Sequence, residues 1–198
     1  MTVVRVALVA AAVVLGLAGR ALSCCDVPPR AETDLTNHAP LAALIAKADA
    51  VVLYEGLPHP MWEKELLAKE KQAKKTVELH GFAFYASPIE PKEADAGQLA
   101  KVLADAASLR KFAGEKRCGG FHPDWCIEWR AGDEVVQCLV CFGCGEVKFY
   151  GSAASLHADM TQASAKALSA TLAQYQKQRP PRARRSAASA GEIAERSK

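Results

Sequence analysis

After Gly19 the sequence contains no apolar run near the roughly 20 residues that a membrane-spanning helix requires, which excludes a helical span in the body of the chain. Internal repeats are absent, which excludes a stacked-repeat architecture. Cysteine is missing between Cys25 and Cys118 and again after Cys144, so thiol chemistry is confined to one adjacent pair and one short stretch. No nucleophile, base and orienting group combine into a complete catalytic set, and no reaction can be read from the sequence.

What is present begins with an export signal. Arg5 precedes an apolar run from Val6 to Gly19, whose fourteen residues would rise only about 21 Å as a helix. Ala21 and Ser23 are the small residues that a signal peptidase accepts, so residues 1–23 read as a signal peptide cut before Cys24. "ALSC" also resembles a lipobox, which makes Cys24 a lipidation candidate and the membrane a partner. The alternative is an ordinary exported protein in which Cys24 or Cys25 joins a disulfide. Residues 24–40 then form a polar leash, and residues 41–175 one domain, in an exported, envelope or periplasmic location.

The far end, 176–198, has no large apolar residue except Ile193 and carries seven Lys or Arg against two Glu. It reads as a disordered basic tail, able to contact anionic surfaces. Taking its +5 and the +2 of Arg5 and Arg20 from the total of +3 leaves −4 on residues 24–175. The basic pI therefore belongs to the ends, and no nucleic-acid partner is expected.

Between the ends the pattern predicts an α+β fold, a mostly antiparallel sheet with three or four packing helices and a Cys-rich central hairpin. Helices are expected from 41, from Pro60, from Glu93 with a second short one after it, and from 161 with Thr161 as N-cap. Strands are expected near 50, 77, 126, 136, 147 and 156, with "EVKFYG" and "ASLHADM" at the sheet edges.

Five cysteines lie in "CGGFHPDWCIEWRAGDEVVQCLVCFGC", residues 118–144. A loop of Ala131–Asp133 would place Cys126 opposite Cys138. A turn of Ala131 and Gly132 would put Trp125, Ile127 and Trp129 on one face with Val136, Cys138 and Val140. The second arrangement sorts hydrophobicity better and leaves Cys118, Cys126, Cys141 and Cys144 as a group, with Cys138 in the core. Those four can form disulfide staples, which suit an oxidising compartment, or a zinc site. "CFGC" can also exchange disulfides, although strand-like flanks do not offer the helix start that lowers a thiol pKa. Cys118 with His157 as base is a fourth possibility. No haem attachment is implied, because Gly145 stands where His would follow the second cysteine. No cofactor is expected unless zinc occupies the thiols.

Tyr54, Glu55, His59 and Trp62 in the first turn, with His122 and Asp124 in the second, form a candidate binding surface, against the simpler reading of solvated turn residues. His38 in the leash and His80 beside Gly81 carry little signal. At "YEGLPHPMWEKEL", "KTVELHGFAFY", "CGGFHPDWCIEW" and "CFGCGEVKFYG" the chain resembles a group of uncharacterised exported bacterial proteins. The resemblance implies that the hairpin and the "LPHP" turn belong to one domain, and it carries no known activity. The sequence thus points to a non-enzymatic, lipid-anchored envelope protein, or alternatively to a thiol site that binds metal or exchanges disulfides. Its ligand and protein partner are unspecified.

Overall fold

The computed structural model describes residues 33–116 and 119–181. The expected signal peptide, Cys24 and Cys118 lie outside the described residues. Among the described residues four α-helices occur, α1 (His38–Ile45), α2 (Lys64–Ala73), α3 (Glu93–Ala104) and α4 (Gln162–Ala173). The strands are β1 (Ala50–Glu55), β2 (Thr76–Leu79), β3 (Phe82–Tyr85), β4 (Leu109–Lys111), β5 (Trp125–Ala131), β6 (Glu134–Cys141), β7 (Glu146–Gly151) and β8 (Ser155–Met160). The fold is α+β: six antiparallel strands in the order β1-β5-β6-β7-β8-β4, with β2 and β3 as a separate pair.

Side-chain alternation sorts the large sheet into two faces. Trp125, Ile127 and Trp129 face the same side as Val136, Cys138, Val140, Val147, Phe149 and Leu156, and all are buried in the main core. Leu41, Leu44 and Ile45 of α1, Leu99, Val102 and Leu103 of α3, and Leu168 and Leu172 of α4 cover that face. The opposite face is covered by the β2–β3 pair, where Phe84 meets Cys126 and Leu139. Near-complete burial of β5 on both faces follows from these two layers.

The β5–β6 pairing differs from both arrangements expected. Ala131 faces Glu134 across a Gly132–Asp133 turn, so Cys126 lies opposite Leu139 and Cys138 opposite Ile127. The face assignment is that of the second arrangement, since the two registers differ by an even number of residues. A second correction concerns β7 and β8, expected at the edges: they are interior, and the edges are β1 and β4. The short strand β4 follows a single 3₁₀ turn at Ala106–Ser108 and covers β8. The outer edge of β1 is itself met by Ile89, which exchanges two backbone hydrogen bonds with Leu53 at 2.8 and 2.9 Å.

Helix ends also moved. α2 starts at Lys64 rather than Pro60, because the Glu63 carboxylate and backbone N–H both bond back to His59 and close the preceding turn. The expected leash gives way to structure before residue 41: Asp34 caps a 3₁₀ turn, and His38 is buried with its Nε2 2.8 Å from the Leu103 carbonyl. At the other terminus, residues 176–181 of the expected tail are held on the domain through Gln176, Lys177, Gln178 and Arg179. α4 begins as expected, with the Thr161 hydroxyl accepting the Ser164 N–H at 3.2 Å.

Two substitutions measure the unequal weight of these features by urea denaturation. Phe149→Ala, in the centre of the core, is expected to destabilise by about 3–5 kcal/mol, and Thr161→Ala by only about 1 kcal/mol.

Candidate functional site

The two turns flagged in the sequence meet at one end of the sheet, where β1 ends, β5 begins and β6 ends. Gly56 makes the contact possible. Its N–H donates to the Asp124 carbonyl at 2.8 Å, and a Cβ there would lie 2.2 Å from the Pro123 carbonyl oxygen, inside any tolerable contact. Gly119 does the same from the other turn. It has φ +90°, and a Cβ on it would come within 3.1 Å of both His59 Cε1 and Trp62 Nε1. The close approach brings the rings of His59 and His122 to 4.6 Å between centroids.

Burial within this cluster is uneven. Glu55 is 1% exposed and His59 6%, so these two are not surface groups as expected, while Tyr54, His122 and Asp124 are partly buried. Met61 and Trp62 stand out at 59% and 54%. The Met61 N–H donates to Nδ1 of His59 at 3.1 Å, which fixes that nitrogen as an acceptor. Tyr54 points to the sheet's other face, beside Phe84, Cys126 and Leu139, and does not join the cluster.

Charge enters from a residue the sequence did not single out. Arg179 donates to Asp124 at 3.1 Å and to Glu63 at 2.7 Å, bridging the two turns. The backbone N–H groups of Lys177, Gln178 and Arg179 all donate to the Glu55 carboxylate, at 3.2, 2.8 and 2.9 Å. Nothing local in the sequence marked Arg179 among the cations of the basic end.

Next to the imidazoles lies the C-x-x-C turn. Cys141 Sγ accepts the backbone N–H of Cys144 at 3.2 Å and another from His122. The Cys144 thiol donates to the Gly120 carbonyl at 3.3 Å. Burial raises the Cys141 pKa, and those donors oppose the rise. Asp124 joins the thiol turn to the Arg179 cluster, since its second carboxylate oxygen accepts the Phe142 N–H at 2.8 Å.

Of the four cysteines grouped in the sequence, Cys141 and Cys144 share one turn, and Cys118 lies outside the described residues. Cys126 is fully buried against Phe84 and Leu139, where burial pushes its thiol far above the usual range. No disulfide joins Cys126, Cys138 and Cys141 to one another. Among the described residues no three His, Cys, Asp or Glu are grouped as metal ligands. His157, the base considered for Cys118, is 2.9 Å from Glu146 and stacked on Phe112 at 3.8 Å. His80, given little weight, stacks on Tyr150 at 3.7 Å and holds Gln137 at 2.6 Å.

The imidazole pair predicts acid sensitivity. Burial, with His59 and Arg179, holds His122 down to about 4 from an ordinary 6.5, outweighing Asp124 and Glu63. On acidification the unfolded chain therefore takes up this proton first, and the folded state loses stability as pH falls from 6.5 towards 4. Allowing for partial exposure, the loss by pH 4 is about 2 kcal/mol. His80 and His157, also lowered by burial, act in the same direction. Thermal melts between pH 7 and 4 check this: His122→Asn should show a shallower decline than the parent, and parallel curves would refute the assignment. In comparisons with known proteins, no family model, curated protein or solved structure matches the chain.

Proposed function

We propose that the chain is an exported, lipid-tethered, non-enzymatic protein of the bacterial envelope, and that it receives a ligand where its "YEGLPHP" and "CGGFHPDW" turns converge. The observation that carries this reading is the 4.6 Å approach of His59 and His122 beneath the exposed Met61 and Trp62. Two turns separated by some 60 residues form one surface there, with an aromatic side chain at its rim. Binding suits the chemistry better than proton transfer does. His122 is a weak base with its pKa near 4, and Asp124 and Glu63 are engaged with Arg179. Export and tethering rest on the "ALSC" segment, with Cys24 as the lipidated residue.

A photoreactive residue placed at 62 or at 135 in living cells tests the binding reading, since Trp62 and Val135 are both exposed apolar positions on different parts of the surface. Adducts at 62 and none at 135 are expected, and equal or absent labelling at both would reject the reading. Labelled palmitate should enter the parent chain but not Cys24→Ser. Incorporation into both, or into neither, would remove the anchor.

One observation favours a second reading. Backbone N–H groups directed at Cys141 Sγ stabilise a sulfur that carries negative charge, as a thiolate ligand does. Cys141 and Cys144 fit as two ligands of a zinc ion, whereas the apolar surroundings of Cys126 do not. Zinc would supply the positive charge that these buried thiolates need. Mass spectrometry of the natively exported protein separates the possibilities. About one zinc per chain, lost in Cys144→Ser, supports this reading. A mass low by two protons and restored by reductant indicates a disulfide staple, and neither result eliminates the thiol turn as a functional group.

A further inference from the structure

We propose that Glu55, Glu63 and Asp124 form a receptor site for an arginine-bearing peptide segment, and that Lys177–Arg179 is its tethered occupant, displaced when a matching segment of another protein enters. This rests on the reading of the converging turns as a binding site, and it names the class of ligand.

The contacts are those of peptide recognition. Glu55 takes three successive backbone N–H groups, an amide concavity that receives a carboxylate, while the guanidinium spans Glu63 and Asp124 from two different turns. The Gln178 side-chain amide donates to the Ser87 carbonyl at 3.1 Å, and the Lys74 ammonium donates to the Gln178 carbonyl. The occupant brings no large apolar anchor: Lys177 is exposed, and Gln178, Arg179 and Pro180 are only partly buried. It is held by charge and backbone, in a form that another chain of the same chemistry reproduces.

The receptor carboxylate is served by its occupant. Glu55 is 1% exposed with the segment in place, and every hydrogen bond to its carboxylate among the described residues comes from 177–179. Displacing the segment removes all three donors, which the backbone of an incoming segment restores. Specificity follows from the geometry. A lysine cannot span Glu63 and Asp124 with a planar fork, and proline is excluded at the arginine position and the two before it, because each donates an N–H to Glu55. The cis segment competes at an effective concentration of order millimolar, which sets the affinity an incoming segment must exceed.

Full-length Arg179→Ala weakens the occupant and leaves the receptor carboxylates in place. A fluorescein-labelled peptide with the sequence of residues 176–181, Gln-Lys-Gln-Arg-Pro-Pro, is expected to bind this variant about tenfold or more tightly than the parent, by anisotropy at low salt. The same peptide with Lys for Arg should bind about tenfold more weakly than the arginine peptide, and adding Glu63→Gln should abolish binding. A folded variant that binds neither peptide, or both equally, overturns the proposal. Should the variant not fold, hydrogen exchange of the unaltered chain decides. Amides 177–179 exchanging faster than Leu168 and Leu172 of α4, and faster still in salt, support a displaceable segment, whereas equal protection overturns it. Photo-adducts at position 62 without peptide binding would remove this proposal and leave the binding reading standing, while the absence of both would remove the two together.

Discussion

Burial of the Glu55 carboxylate at the end of β1 is the constraint around which this end of the molecule is organised. At 1% exposure it cannot rely on water, and its donors come from a segment more than 120 residues away. That segment can reach it only because α4 ends nearby, and α4 is itself fixed by Tyr175, whose hydroxyl donates to Asp95 at 2.6 Å and accepts the Lys92 N–H at 2.9 Å. Placing 177–179 on Glu55 then delivers Arg179 to Glu63 and Asp124, which belong to the two turns. The same carboxylate thus determines where residues 177–179 lie and what joins the turns electrostatically.

Position relative to the sheet separates the cysteines into different chemistries. Cys138 faces the helices and Cys126 the β2–β3 pair, and in both places the surroundings are hydrocarbon, which opposes ionisation. Cys141 sits two residues beyond Leu139 on the same face, yet at the strand's end backbone N–H groups become available to it. Two residues along one strand therefore separate a position packed in hydrocarbon from one where a thiol is met by donors. Composition treats these cysteines alike, and only the strand ends distinguish them.

Local features of the fold were legible because local physics produces them. Thr161 caps α4, the alternation around residues 125–141 marks one apolar face, and the break at Gly81 separates two short strands. What could not be read depended on contacts distant in sequence. β7 and β8 look like edge strands by their mixed polarity, but Lys148, Tyr150 and His157 are polar because they face the side covered by Phe82, Phe121 and His80. His38 looked like a leash residue until α3 supplied the Leu103 carbonyl. Of the site, His59, Trp62, His122 and Asp124 were legible as turn residues worth attention, and Glu55 was placed there for the wrong reason, as a surface group. Arg179 was hidden inside a basic run in which each cation looked like the others.

The ends of the described chain also define an orientation. Asn37, near its start, donates to the Ser155 carbonyl at 3.2 Å, at the opening of β8. β8 runs from there to Met160, whose N–H bonds to the Gly145 carbonyl beside the thiol turn, so the chain enters at one end of the sheet and the candidate site occupies the other. Residues 177–179 lie at that same site end, because Glu55 holds them there. A basic segment fixed beside Glu55, Glu63 and Asp124 has carboxylate partners at hand, which favours it as part of the recognition surface.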